Sequence, residues 1–377
     1  MPEYVIYSAK ATLLTPLHIG SGRELLNEYD YAIYGGRTWR LNEEAILEAQ
    51  NIDDPKILER LMQIPPAQLL KPSDFQEGSP FFRYVIRGVP RSQAPGAQLR
   101  EQWKDPHDRP YLPGTSLKGA LRTALGWYAW GALGLHPERT RLNPNPRFAA
   151  LEYERALFGP DPNHDLMRAL HVSDSAPVGT DRLILINARV IHRNGRMASP
   201  IELEAIAPET VFHFTIKLDL ALFSEWAQRH RLELRGEEWL RDLPAIVNQH
   251  TAQRLKEERE WFNGVPGAEQ VRDFYRQLGI PKQGFLLQVG WGTGWDDKTF
   301  GSRLRADPAF LEGILRPPKQ GGYGIARGRR QPGDPFPKSR RVVVRVRRAP
   351  DGRTVEQPVA PLGWMWVEIA EVGQSSG

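Results

Sequence analysis

The sequence predicts an α+β protein, and three observations carry that prediction. Strand-like and helix-like segments are mixed along the chain without the regular alternation that a doubly wound sheet or a TIM barrel requires. Apolar residues make up 40% and charged residues 25% of the 377, as in ordinary globular chains. No fixed-period repeat occurs that would signal a solenoid or propeller. At roughly 150 residues per domain, the length suits two or three domains. Gly 34 and Pro 32 imply many turns but no low-complexity chain. There are no cysteines, which excludes disulfides, thiol nucleophiles, cysteine zinc sites and iron–sulfur clusters.

The elements follow in order. Tyr4–Thr15 is rich in Val, Ile, Tyr and Thr and reads as a strand, ending in a turn-rich stretch from Thr15 to Glu24. Tyr29–Tyr34 and Thr38–Leu41 flank Gly35-Gly36 as a hairpin. Asn42–Met62 reads as a helix with Asn42 as its N-cap. Residues 65–110 carry eight prolines and read as an insertion, with one strand at Phe81–Arg87. The clearest helix is Thr115–Leu133, where Leu117, Leu121, Ala124, Leu125 and Tyr128 recur at helical spacing. Residues 136–166 read as loop, followed by strands at Ala169–Ser173, Leu183–Ile191 and Thr210–Asp219. Residues 220–280 are helical in pattern, and strands are expected at Phe285–Val289, Val342–Val346 and Met365–Ala370. The organisation expected is a unit over 1–219, a helical segment over 220–280 and a second unit over 281–377.

Charge placement says more than the net +5, because 39 of the 50 basic residues are Arg, the better partner for phosphates and bases. Genomic composition bias would also enrich Arg. Between Arg316 and Arg348 there are eleven Lys and Arg against the single acid Asp334. Such a block is an electrostatic footprint for a polyanion, or a basic loop without a specific partner.

Three segments carry candidate chemistry. In LPGTSLKGALRTAL (Leu112–Leu125), Gly114 permits close backbone approach. The helix start at Thr115–Leu117 offers N–H groups to an anion, with Lys118 and Arg122 one and two turns further in. The spacing is not a Walker A loop, and a capped helix with a solvated basic edge fits it too. In GWGTGWDDKT (Gly290–Thr299), glycines alternate with Trp291 and Trp295 after a strand. Glycines admit a chain and Trp rings stack on bases, with Lys298 as the charge. A glycine-rich turn with core tryptophans is the alternative, and Asp296-Asp297 suits a solvated turn better than magnesium. In TPLHIGSG (Thr15–Gly22), His18 could serve as a general base on a ribose hydroxyl, although a lone His is more often structural. Asp161, His164, Asp165 and His171 make only a weak metal cluster, so no metal and no cofactor are expected. No signal peptide or membrane span is visible, and a soluble cytoplasmic protein is the expectation.

Taken in this order, the three segments resemble the RAMP superfamily of CRISPR effector proteins. FPKSRRVVV (Phe336–Val344) followed by PLGWMWVEI (Pro361–Ile369) is similar to the type III-A Csm subunit that caps the complex near the crRNA 3′ end. HVSDS (His171–Ser175) matches a strand segment common in that group, while GGYGIARGRRQPGDP (Gly321–Pro335) is longer and more basic than the group's pattern. The resemblance implies ferredoxin-like, RRM-like units with helical and long-loop insertions. It implies a non-catalytic crRNA-binding subunit that caps the backbone filament and supports crRNA maturation and antiviral defence. The partners it implies are crRNA, the other Csm subunits (chiefly the repeated backbone RAMP) and target RNA, with no membrane. The RNA-binding candidates are His18, Gly20, Ser21, Gly22, Gly114, Thr115, Ser116, Lys118, Arg122, Gly292, Gly294, Trp295, Lys298, Lys338, Arg340 and Arg341. The alternative is a metal-independent crRNA-processing endoribonuclease using His18, and a nucleotide-binding enzyme built on Gly290–Gly294 is a third reading.

Overall fold

A computed structural model describes residues 3–50, 63–232, 234–326, 330–331, 333–348 and 352–374. Within these, the strands in chain order are β1 (Tyr4–Leu13), β2 (Gly20–Leu26), β3 (Tyr31–Tyr34), β4 (Arg37–Leu41), β5 (Phe82–Arg87), β6 (Gln98–Gln102) and β7 (Leu170–Val172). They continue as β8 (Leu183–His192), β9 (Ile201–Ile206), β10 (Val211–Asp219), β11 (Phe285–Gln288), β12 (Ser339–Arg348), β13 (Thr354–Ala360) and β14 (Trp364–Gln374). They form a five-stranded sheet ordered β11-β14-β1-β10-β7, a six-stranded sheet ordered β13-β12-β8-β9-β6-β2, and a small sheet β3-β4-β5.

The five-stranded sheet is antiparallel throughout, with β1 between β10 and β14. Alternation explains its buried face. In β10, Phe212, Phe214, Ile216 and Leu218 are buried while the residues between them are exposed or half-buried. Helices Gly114–Ala132 and Leu243–Phe262 contribute Leu117, Leu121, Leu125, Ile246 and Val247 to the same core. Each such side chain stabilises by roughly 1.5–3 kcal/mol on burial. The connectivity is strand, helix, paired strands, helix, strand, a mixed architecture consistent with the α+β expectation.

The sheets do not follow the expected boundaries at 219/220 and 280/281. β14 pairs along nearly all of β1, and β12 pairs with β8. Among the described residues, no sheet is built from 281–377 alone. Pairing between strands some 350 residues apart leaves no local pattern, so a linear reading divides what the sheets join.

Several elements depart from the sequence reading. The turn expected over Thr15–Glu24 contains the start of β2. Strands β6, β9 and β13 and the helix Leu151–Phe158 were not expected. The helix expected over Asn42–Met62 is present over Glu43–Glu48, with the Asn42 side chain accepting from the Ala45 N–H, and 51–62 lie outside the described residues. Within the basic stretch Gly321–Pro335, positions 327–329 and 332 likewise lie outside them.

Two of the crossovers between the large sheets lie side by side. The chain leaves β1 through Leu14–Ile19 to enter β2, and leaves β13 through Pro361–Gly363 to enter β14. The Leu14 N–H donates to the Trp364 carbonyl at 2.8 Å, Gly363 N–H to Pro16 at 2.9 Å, and Trp364 N–H to Thr15 Oγ1 at 2.9 Å. Gly363 has φ +78° and a Cβ there would sit 2.0 Å from the Val289 oxygen, so only glycine closes this seam.

Candidate nucleic-acid interface

The glycine-rich loop joins the same seam. Trp291 N–H donates to the His18 carbonyl at 2.7 Å. Gly290 has φ +84°, and a Cβ there would lie 2.5 Å from that same oxygen. The three segments singled out in the sequence therefore converge on one cleft of about 730 Å³. His18, Gly20 and Gly22 line it from one side, Thr115, Ser116 and Thr123 from the helix, and Trp291 and Lys298 from the loop.

Neither Thr115 nor Ser116 caps the helix; Pro113 is the N-cap and makes no side-chain bond. Gly114 N–H instead donates to Asp174 Oδ1 at 2.7 Å, and Ser116 N–H to the Pro113 carbonyl at 2.9 Å. Ser175 Oγ accepts from Leu112 N–H at 2.9 Å. HVSDS thus earns its place by fastening the helix start. The closeness that Gly114 allows is to this strand end, because a Cβ would lie 2.3 Å from the Val172 oxygen. An acid already sits on the positive helix end, which weakens the anion site the sequence suggested.

His18 is buried, and its Nδ1 lies 2.7 Å from the Glu204 carbonyl. A carbonyl only accepts, so Nδ1 carries the proton and Nε2 the lone pair. Burial pushes its pKa down to about 4, and Arg100 and Lys104 add to that, while the Glu204 bond opposes it. The ring is neutral near pH 7 and held edge-on to Trp291, with ring centroids 6.2 Å apart. Ser21 does not line the cleft; its hydroxyl donates to Glu101 at 2.8 Å.

Cations line the cleft more sparsely than the basic block implied. Arg23, Arg100 and Lys298 face Glu24, Glu101 and Asp297. Arg23 pairs with Asp30 at 2.7 Å, and Arg100 lies 3.7 Å from Glu24. Arg100 and Arg341 each stand over the Trp291 ring, at 5.6 and 4.8 Å from its centroid. Arg23 falls one residue beyond TPLHIGSG and Arg100 in a strand that the sequence reading does not expect, which is why neither was singled out.

Other expected contacts lie elsewhere. Arg122 pairs with Asp165 at 2.9 Å and stands 3.7 Å over the Phe158 ring, beside a second cavity. Lys118 is half-buried, which lowers its pKa while Asp165 raises it, and it does not line the cleft. Gly292, Gly294 and Trp295 face a third cavity with Lys338, Arg340 and Arg341. Lys338 pairs with Asp334. Trp295 packs on Phe336 at 4.9 Å between ring centroids.

Arg340 is engaged inside the protein. With Arg254 and Arg305 it holds Glu257, Glu258, Asp296 and Asp297 in a buried cluster. Its Nε lies 2.8 and 2.9 Å from the two Glu258 oxygens. Burial raises the pKa of Asp297 to about 6 against the pull of Arg254. The neighbouring Glu258 and Asp296 carboxylates push it further the same way. Asp296-Asp297 is therefore not a solvated turn, because arginines meet both carboxylates. The weak cluster near His164 is also spoken for: Nδ1 meets Asp161 at 2.8 Å and Nε2 the Arg231 carbonyl at 2.9 Å. Among the described residues, no group of three or more His, Asp or Glu side chains is placed to hold a metal ion, and no helix is long and apolar enough to cross a membrane.

The geometry defines a class first: an α+β protein whose sheet seam, helix and glycine-rich loop line one cleft together with Trp291. The chain belongs to the RAMP superfamily, whose family model matches residues 10–295. It is 33% identical over 121 residues to the CRISPR system Cms protein Csm5 of Streptococcus thermophilus, covering 30% of this chain and 32% of that one. It is 25% identical over 234 residues to Csm5 of Methanocaldococcus jannaschii, covering 60% and 56%. The chain thus spans about a third to just over half the length of these relatives. Among solved structures, a chain of a Csm–crRNA–target RNA ternary complex from a type III-A CRISPR–Cas system superposes with TM-score 0.69 and 27% identity, covering 96% of this chain and 100% of that one. The T. onnurineus Csm5 crystal structure shares the fold, with TM-score 0.60, 22% identity and coverage of 95% and 99%.

Proposed function

We propose that this chain is a non-catalytic, crRNA-binding subunit of a type III-A Csm complex, capping its backbone filament near the crRNA 3′ end. The observation that carries the reading is the convergence of TPLHIGSG, the Thr115–Thr123 helix face and the Trp291–Lys298 loop on one cleft. In this reading a single RNA strand runs along the cleft, with Lys298 and Arg100 near its phosphates and Trp291 stacking on a base. RNA is told apart by stacking and 2′-hydroxyl contacts rather than by a groove code. We also read β7-β10-β1-β14 with the helices Gly114–Ala132 and Leu243–Phe262 as a ferredoxin-like unit, on their order and connectivity.

The orientation of His18 favours a second reading, metal-independent cleavage at a ribose 2′-hydroxyl, because its lone-pair nitrogen belongs to a cleft residue. Against it, the ring is 2% exposed. One experiment separates the two: end-labelled crRNA is incubated with the chain and resolved on native and denaturing gels. A salt-sensitive shift with intact RNA supports the binding subunit. Cut RNA that becomes intact with His18→Ala supports the nuclease. Absence of any shift at low salt, with or without the backbone subunit, overturns both.

A further inference from the structure

A second cavity of about 500 Å³ opens beside the cleft and shares Thr123 and Lys298 with it. Its volume lies within the roughly 300–1,000 Å³ range of small-ligand pockets. Its deep wall is aromatic: Trp130 and Tyr153 stack at 4.8 Å between centroids, and Phe300 lies 5.9 Å from Trp130. Trp130, Tyr153 and Phe158 are buried, so the wall is rigid rather than a loose surface patch. The cleft follows the helix from Thr115 to Thr123, eight residues and therefore ~12 Å of helix. A strand held at the helix start reaches the cavity mouth within that distance.

We propose that this cavity receives one unpaired nucleobase of the RNA strand held in the cleft; the inference rests on the RNA-binding reading above. A flat, largely apolar body suits the aromatic wall, and an anionic tether suits Lys298 at the shared rim. An apolar peptide side chain fits the wall but brings no such tether. The occupant is thus a base still attached to its strand, read mainly by stacking.

The test walks a single abasic site along a single-stranded RNA oligonucleotide bound to the full chain, measuring affinity at each position. The expected result is a loss of about 5- to 100-fold confined to one position, the size of one base–aromatic stack. Ala150 is exposed and lines this cavity but not the cleft, so Ala150→Trp is the variant chosen to fill the cavity. That variant is expected to bind intact RNA as the wild type binds the critical abasic RNA, and to lose the positional effect. Ala149→Phe repeats the test from the neighbouring position. Tight, salt-dependent RNA binding with no abasic-sensitive position overturns the base pocket and leaves the cleft standing. Loss of backbone-subunit association in Ala150→Trp, with an unchanged abasic walk, overturns it in favour of a protein occupant. No RNA binding at all overturns the cleft reading and the pocket together.

Discussion

Replacing Arg340 by Ala separates a structural arginine from an RNA-binding one. Arg340 lies in the PKSRR segment, where the sequence points to phosphate contacts. In the fold its guanidinium is buried against Glu258 with two bonds of 2.8 and 2.9 Å, lies 3.5 Å from Asp296 and stands 5.0 Å over the Trp261 ring. Burial pushes the Glu258 carboxyl up, but Arg340 and Arg254 more than offset it and hold it below its usual range. Removing Arg340 leaves two guanidiniums for four carboxylates, of which Glu258 and Asp296 are buried. Breaking a buried pair from one side costs about 3–5 kcal/mol, because the remaining charge stays desolvated. That is a large share of a typical stability of about 5–15 kcal/mol. Urea unfolding at pH 7.5 is expected to show a lowered midpoint of that size, while the variant that remains folded keeps its RNA affinity and salt slope. Replacing Arg340 and Glu258 together by Met and Leu should recover much of the loss. A change in stability under ~1 kcal/mol, together with a salt slope shallower by about one phosphate, would refute the reasoning and return Arg340 to the RNA.

Further outcomes follow from the same geometry. Lys298→Ala and Arg100→Ala should each lower the slope of log affinity against log salt by ~1, whereas Lys118→Ala with Arg122→Ala should leave it nearly unchanged. Gly290→Ala forces a Cβ to 2.5 Å from the His18 oxygen at φ +84° and should destabilise by about 1–3 kcal/mol, read by thermal unfolding, with weakened RNA binding. His18 and His250 have pKa values lowered to about 4 and about 3, chiefly by burial. The unfolded chain therefore binds more protons between pH 6.5 and 4, and stability falls as pH drops through that window, by at most on the order of 3 kcal/mol from each. His250→Gln should flatten that slope in denaturation curves measured from pH 7 to 4. Asp297 has the opposite sign: its raised value, about 6, makes its contribution fall as pH rises from about 4 to 6. Asp297→Asn should leave stability at pH 7.5 undiminished, and a clear loss there would mean that its bond to Arg254 outweighs its burial.

The parts legible in the sequence were those with a local signature. Apolar spacing marks the Gly114–Ala132 helix within a residue or so, and the strands β1, β8 and β10 lie within one or two residues of where the sequence places them. The three candidate segments were legible because glycine is conspicuous wherever backbones must touch. What the sequence hid is which backbone each glycine touches. Gly114 meets Val172, Gly290 meets His18 and Gly363 meets Val289, all within the chain rather than on a ligand. Charges were misread for a related reason. Arg122 and Arg340 look like free cations in one dimension, yet Asp165 and Glu258 lie 43 and 82 residues away in sequence and cancel them in space. These two errors have one consequence for function. The motifs bring the seam, helix and loop together, and of the side chains left facing the cleft the glycine-rich motif names Trp291 and Lys298, whereas no motif names Arg100. Variation at those three should alter RNA affinity with little cost in stability, and variation at Gly114, Gly290 or Gly363 should do the reverse.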